Sequence, residues 1–218
     1  MKKTILPNWR KSIAKTPHFA KIYKDTYEKN GRVPVSEEYI LGCHSYLFFY
    51  KDKLVGGCIF NDGQMQPLRY FSIIKTGEEV DLLLDIDNIE EEHLMEICCI
   101  FLERKISPIY RILFYVEILA KTYQYARKWN KKGILGGSIE KKIQLMQMKL
   151  MPHIILKTVI NKSLKFSGNS KGLVMLYYCP TNEFIFRAFY VIIEYSFLRI
   201  FKQKAIKKTQ SLSPSSQT

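Results

Sequence analysis

The amino-acid sequence predicts an α/β domain, a central mixed β-sheet flanked by helices, and three stretches predict it. Glu96 to Leu102 is a short β-branched and aromatic run, Ser107 to Asn130 has helical spacing, and Ile134 to Ile139 is a second apolar run. Strand, helix, strand in that order makes the two strands parallel neighbours with a right-handed crossover. Tyr46 to Tyr50 and Leu54 to Phe60 flank Lys51-Asp52-Lys53, the composition and spacing of an antiparallel hairpin. Ile154 to Ile160 and Leu173 to Cys179 are two further runs that close the sheet.

Taken in order, Thr16 to Asn30 is expected to be a helix, with Ile13, Phe19, Ile22, Tyr23 and Tyr27 as its apolar side and Asn30-Gly31 as its end. Arg32 to Pro34 reads as a loop and Ser36-Glu37-Glu38-Tyr39 as a capped turn. Gly56-Gly57, inside a strand, predicts a bulge or a close approach by another group. Asn61 to Pro67 is a turn and Leu68 to Ile74 a third strand. Gly77 to Glu92 is acidic and loop-like, with Leu82, Leu83 and Leu84 packing inward. Ser107 is a favoured N-cap and Pro108 suits the first helical position. The helix they open should bury Ile109, Ile112, Leu113, Val116, Leu119, Ala120 and Tyr123, and end at Asn130-Lys131-Lys132-Gly133. Glu140 to Met151 is helical, with Ile143, Met146 and Leu150 on one side, the methionines in the core, and Pro152 as the stop. Ser167 to Ser170 is a loop.

Phe184 to Phe201, FIFRAFYVIIEYSFLRIF, is broken by Arg187, Glu194 and Arg199 and is too short to span a bilayer without interruption. It reads as a docked or interfacial helix. Residues 1–180 therefore form the main domain, 181–208 an extra amphipathic and basic C-terminal helix, and 209–218 a polar tail expected to be disordered.

A chain of 218 residues with 47% hydrophobic side chains can bury a sizeable core. Its net charge of +14 favours an acidic partner such as nucleic acid, an anionic membrane, a phosphate group or an acidic protein. No helix-turn-helix, RNA-recognition or zinc signature accompanies the charge, so nucleic acid ranks last. Cys43, Cys58, Cys98, Cys99 and Cys179 form no paired framework and no metal-ligand spacing, and the four histidines are scattered, so no metal site is expected. The cysteines read as small buried residues, with the adjacent Cys98 and Cys99 facing opposite ways along their strand. Met1-Lys2-Lys3 is followed by no apolar core, so a cytoplasmic protein is expected, with peripheral membrane contact through the C-terminal helix as a further expectation.

The hairpin YLFFYKDKLVGGCIF, the strand MEICCIFL and the helix that follows it resemble the GNAT superfamily of N-acyltransferases. Within it the chain looks most like the branch of acyl-homoserine-lactone synthases and long-chain N-acyl amino acid synthases. That branch has an N-terminal helix and extended loop, here about Phe19 to Pro34, and a Glu-Ile strand entering the central helix. The resemblance covers about residues 16 to 180. Members that bind acetyl-CoA usually carry a glycine-rich loop before the central helix. Here Arg104 to Arg111 contains no glycine, and members lacking the glycines can take acyl chains from acyl carrier protein. A Ser-Arg often follows Glu-Ile in that branch; Cys98-Cys99 stand there instead.

The resemblance implies transfer of an acyl group from a thioester, carried by acyl-CoA or by the phosphopantetheine of an acyl carrier protein, to an amine such as that of an amino acid. The amine must lose a proton and the thioester carbonyl must be polarised. Glu96 is the expected base. Backbone N–H groups of Ile100, Phe101 and Leu102 are expected at the acyl carbonyl. Arg104, Lys105, Ser107 and Arg111, at the start of the central helix, suit the donor's phosphate. Arg127, Lys128, Lys131 and Lys132 suit an acidic carrier protein. No residue stands out as the general acid; Tyr177 and Tyr178 are the candidates, though an aromatic in a late strand is more often part of the core. The competing reading is a catalytically inactive protein of the same fold that binds a partner or a membrane.

Overall fold

The structure is a computed structural model and describes residues 9–29, 34–74, 90–103, 105–138, 141–161 and 171–194. Its strands form one seven-stranded sheet in the order β1-β2-β3-β4-β5-β7-β6. They are β1 (Trp9–Ile13), β2 (His44–Tyr50), β3 (Lys53–Asn61), β4 (Leu94–Leu102), β5 (Gly133–Ser138), β6 (His153–Asn161) and β7 (Lys171–Pro180). The helices are α1 (Pro17–Lys29), α2 (Glu37–Gly42), α3 (Arg69–Ile74), α4 (Pro108–Lys128), α5 (Lys141–Leu150) and α6 over 181–194. The expected mixed sheet is present, with β4 and β5 as its parallel pair.

The hairpin turns at Lys51 and Asp52, both with positive φ, as a two-residue turn matched to strand twist requires. Strand β1 has no counterpart in the expected order. It pairs with β2 from Trp9↔Tyr50 to Ile13↔Tyr46, and its five residues, Trp-Arg-Lys-Ser-Ile, lack the apolar–polar alternation that marks a strand. Ser36 caps α2 by accepting the Tyr39 N–H at 3.1 Å. Residues 77–89 of the acidic stretch, with Leu82 to Leu84, the loop 167–170 and the tail 209–218 lie outside the described residues.

Four expectations are corrected. Leu68 to Ile74 is not a strand. Leu68 and Phe71, three apart, are both buried, and that spacing shares a face in a helix but not in a strand. Helix α4 turns Phe114, Ile118, Thr122 and Ala126 inward, a stripe at steps of four joined by Leu119, whereas Ile109 and Ala120 are exposed. The rings of Phe48 and Phe114, centroids 4.8 Å apart, set this rotation. In α5 the inward side carries Gln144, Gln147 and Leu150, and Met148 is exposed, because the two amides serve the carbonyls of Ser138 and Gly137 at the end of β5. Gly133 is not the cap of α4. Asn130, at φ 51°, takes that role, and Gly133 opens β5 against Tyr178, whose Cε2 would lie 2.1 Å from an added Cβ.

Two apolar layers sandwich the sheet. On one side α4 and α6 pack over Phe48, Phe60, Ile134 and Tyr177; on the other α1 and α2 pack over Leu47, Ile59 and Phe101. The expected disturbance at Gly56-Gly57 takes both forms. Gly57 pairs with Phe101 and Ile59 with Cys98, so Cys99 and Ile100 together face Cys58, a one-residue bulge in β4. A Cβ on Gly57 would lie 2.4 Å from the Tyr23 ring and 2.8 Å from the Tyr46 carbonyl. Gly57→Ala is expected to cost roughly 1–3 kcal/mol by overpacking, read as a lower midpoint in thermal or urea denaturation; an unchanged midpoint would show that Tyr23 can retreat.

Candidate active site

The bulge breaks the alternation of β4 at the cysteine pair. Cys99 has φ 52°, and both thiols lie in one cluster with Tyr23, Tyr27 and Tyr39, so the expectation that they face opposite ways is corrected. The Cys98 thiol contacts Cys99, which lowers the Cys99 pKa, while burial raises that of Cys98. All five cysteines are free and buried. The Tyr23 hydroxyl donates to the Cys99 carbonyl at 2.8 Å and holds the bulge from α1. Tyr23→Phe would leave that buried carbonyl unpaired, at about 1–3 kcal/mol. Chemical denaturation is expected to show the loss; a variant as stable as the parent would mean the bulge holds without it.

β4 and β5 pair over three positions, Leu94↔Gly133, Met95↔Ile134 and Glu96↔Leu135. Pairing stops there, although β4 runs on to Leu102 and β5 to Ser138. Glu96 stands where the two strands part. It has no exposure, and neither carboxylate oxygen has a well-formed hydrogen bond. Burial, and then the neighbouring Cys99, raise its pKa to about 8, against smaller opposing effects of the Cys98 thiol, the Arg69 backbone N–H and the Arg69 charge. An unpaired buried carboxyl costs folding free energy, and the weak contacts with Cys98 and Arg69 offset that cost only in part.

Residues that sequence reasoning missed surround it. The Tyr39 hydroxyl lies 3.6 Å from Cys98 Sγ and accepts a hydrogen bond from Asn61 Nδ2 at 3.0 Å. Asn61 Nδ2 also donates to the Pro67 carbonyl at 2.9 Å, and its Oδ1 accepts the Gly63 N–H. Arg69 donates to the Pro34 carbonyl at 2.7 Å, with its guanidinium 5.9 Å from the Tyr39 ring centre. The Tyr70 hydroxyl donates to the Gly137 carbonyl at 2.8 Å, beyond the last β4–β5 pair. Only composition could have signalled these residues: Asn61 and Pro67 bound a turn, and Arg69 is the one Lys or Arg between Lys53 and Lys75.

Past Glu96, the Glu103 N–H donates to the Val55 carbonyl of β3 at 2.8 Å. Successive N–H groups of a strand point to opposite edges, so those of Leu102 and Ile100 point to the edge away from β3 and that of Phe101 toward it. Two of the three expected backbone donors thus face the parting. Ser107 begins α4 in extended conformation without a side-chain cap bond, Lys105 is exposed, and Arg111 donates to the Ile106 carbonyl at 3.4 Å. Arg104 lies outside the described residues.

Two expected roles fail. Lys131 is buried, and its Nζ donates to the carbonyls of Asp62 and Glu92, each at 2.7 Å, so it clips two loops and does not face a carrier. Tyr177 is fully buried with its hydroxyl on Met175 sulfur, and Tyr178 lies over Gly133, so neither stands with Glu96 as an acid.

No family model matches the chain, and no curated protein matches it in sequence. Solved structures do match. FeeM, an N-acyl amino acid synthase from uncultured soil microbes, is similar with a TM-score of 0.52 at 18% identity, covering 79% of this chain and 92% of that one. The chain has the GNAT fold. The C-terminal condensation domain of Ebony (10% identity, 79% and 98% covered, TM-score 0.49) and the AHL synthase LasI (9%, 78% and 88%, 0.44) are also similar, too distantly to add to the argument. No described helix of this GNAT fold is long and apolar enough to cross a membrane.

Proposed function

We propose that this protein is an N-acyltransferase that moves an acyl group from a phosphopantetheine thioester, on acyl carrier protein or CoA, to the amine of an amino acid or related metabolite. The observation that carries the reading is Glu96, a fully buried carboxyl with neither oxygen in a well-formed hydrogen bond, where β4 and β5 part. With a pKa near 8 the carboxyl is mostly protonated at pH 7, and its ionised fraction, which grows as pH approaches 8, takes the proton from the amine. The amine nitrogen, its proton given to Glu96, attacks the thioester carbon. The carbon–nitrogen bond forms, negative charge develops on the carbonyl oxygen, and the Ile100 or Leu102 N–H accommodates it. The carbon–sulfur bond then breaks. A thiol of ordinary pKa, about 8.5, leaves as thiolate with little help from an acid.

Arg69, beside Glu96, suits the carboxylate of an amino-acid acceptor, since guanidinium pairs with carboxylate in two parallel bonds. Lys105, Ser107, Arg111 and the first N–H groups of α4 suit the donor's phosphate, and Arg127, Lys128 and Lys132 suit an acidic carrier. Lys105→Ala with Arg111→Ala is expected to raise KM for the donor roughly tenfold at unchanged kcat, as loss of charge-assisted hydrogen bonds does; an unchanged KM would remove the phosphate from this end of the helix.

Mass spectrometry tests the reading. The protein is incubated with panels of acyl carrier proteins, acyl-CoAs and amino acids. Release of the carrier thiol with a new N-acyl product is expected. A folded protein without turnover across a broad panel would overturn it in favour of an inactive binding protein.

A further inference from the structure

We infer that the outward face of α6, with the adjoining surface of α5, docks this protein on an anionic lipid bilayer. Helix α6 is apolar on two sides. Phe184, Ala188 and Val191, at steps of four and three, are buried in the core. The opposite side carries Phe186, Phe189, Tyr190 and Ile193, again one helical row, and their exposures are 76%, 66%, 65% and 38%. Leu145 at 58% and Met148 at 41% extend it on α5. Met148, Lys149, Phe186, Arg187 and Tyr190 line one shallow hollow, so the two helices share a single surface. A contiguous apolar face of this kind marks an interaction site rather than scattered exposure.

The fold holds the face in place. Lys149 pairs with Glu194 across the two helices, and Arg187 with Glu183 along α6 at 2.9 Å. The described part of α6, residues 181–194, is about 21 Å long at 1.5 Å per residue, against roughly 30 Å of hydrocarbon, and its inner side is engaged by the core. It can lie in an interface but not cross one.

Charge selects the occupant. After Glu194 the sequence has no acidic residue, and it carries Arg199, Lys202, Lys204, Lys207 and Lys208. A second copy of a chain with net charge +14 would be met by like charge. The outward row offers three rings and one isoleucine, with a single hydroxyl for hydrogen bonding, so it supplies area without register. Aromatic side chains beside lysines and arginines are the composition of helices that lie in a headgroup layer, and each basic residue near an anionic surface adds to the attraction.

Full-length protein is sedimented with vesicles of phosphatidylcholine alone and of phosphatidylcholine mixed with phosphatidylglycerol. Binding is expected to the anionic vesicles only, falling as salt rises. The triple substitution F186S/F189S/Y190S, with a native circular dichroism spectrum, is expected to weaken it at least about tenfold. Phe186→Ser, the most exposed of the three, serves if the triple variant unfolds, with a smaller loss. No sedimentation with anionic vesicles, binding that the substitutions leave unchanged, or light scattering that shows a dimer dissociated by them would each overturn the inference.

Discussion

Glu96→Gln is expected to lower kcat by about a hundredfold or more, as loss of a general base typically does, with KM little changed. The same variant should gain stability relative to the parent as pH rises. In the unfolded chain Glu96 loses its proton near its ordinary value of 4.5; in the folded protein it keeps it until about 8. Between those values the folded state holds more protons than the unfolded one, so stability falls with increasing pH. The full penalty, reached above pH 8, is at most about 5 kcal/mol, from some 3.5 pKa units at 1.36 kcal/mol each. Glutamine carries no such penalty. Urea denaturation at pH 5 and pH 9 is therefore expected to show the variant gaining on the parent as pH increases. A purely structural glutamate predicts the reverse, unchanged turnover and a loss of stability that does not depend on pH.

The second large effect is expected from Arg69→Gln. The positive charge of Arg69 helps Glu96 ionise. Without it the carboxyl loses its proton at higher pH, so the pH–rate midpoint moves upward and the rate at pH 7 falls by roughly tenfold for each unit of displacement. At high pH, where Glu96 is ionised in both proteins, the rates should converge. If Arg69 also holds the acceptor's carboxylate, KM for an amino acid should rise while KM for the matching amine without a carboxylate stays put. A rate lost equally at all pH values would mean that Arg69 acts through packing instead.

Much of the frame was legible because its signals are local. Ser107-Pro108 announces α4, and Lys51-Asp52 turns a hairpin between two apolar runs. Glu96 was legible from the resemblance of MEICCIFL to a Glu-Ile strand. What gives Glu96 its character was not. Its raised pKa comes first from burial under elements distant in the chain and then from Cys99, three residues on, which a bulge that strand spacing does not announce turns to the same side. Helix faces were misread for a related reason. Helix α4 carries apolar residues around most of its circumference, so the stripe that faces the sheet is chosen by partner rings such as Phe48. Lys131 looked like part of a basic surface because sequence cannot show two backbone carbonyls converging on an ammonium group.

The most direct test of the central claim is the titration of Glu96 itself. Infrared difference spectra of the parent protein, with the Glu96→Gln variant subtracted, isolate one carboxyl band. A protonated band that persists through neutral pH and disappears with a midpoint near 8 is the expected result. A carboxylate already formed by pH 5 would contradict the account, because Glu96 would then be an ordinary buried acid with a structural partner and no reserve of basicity to spend on an amine.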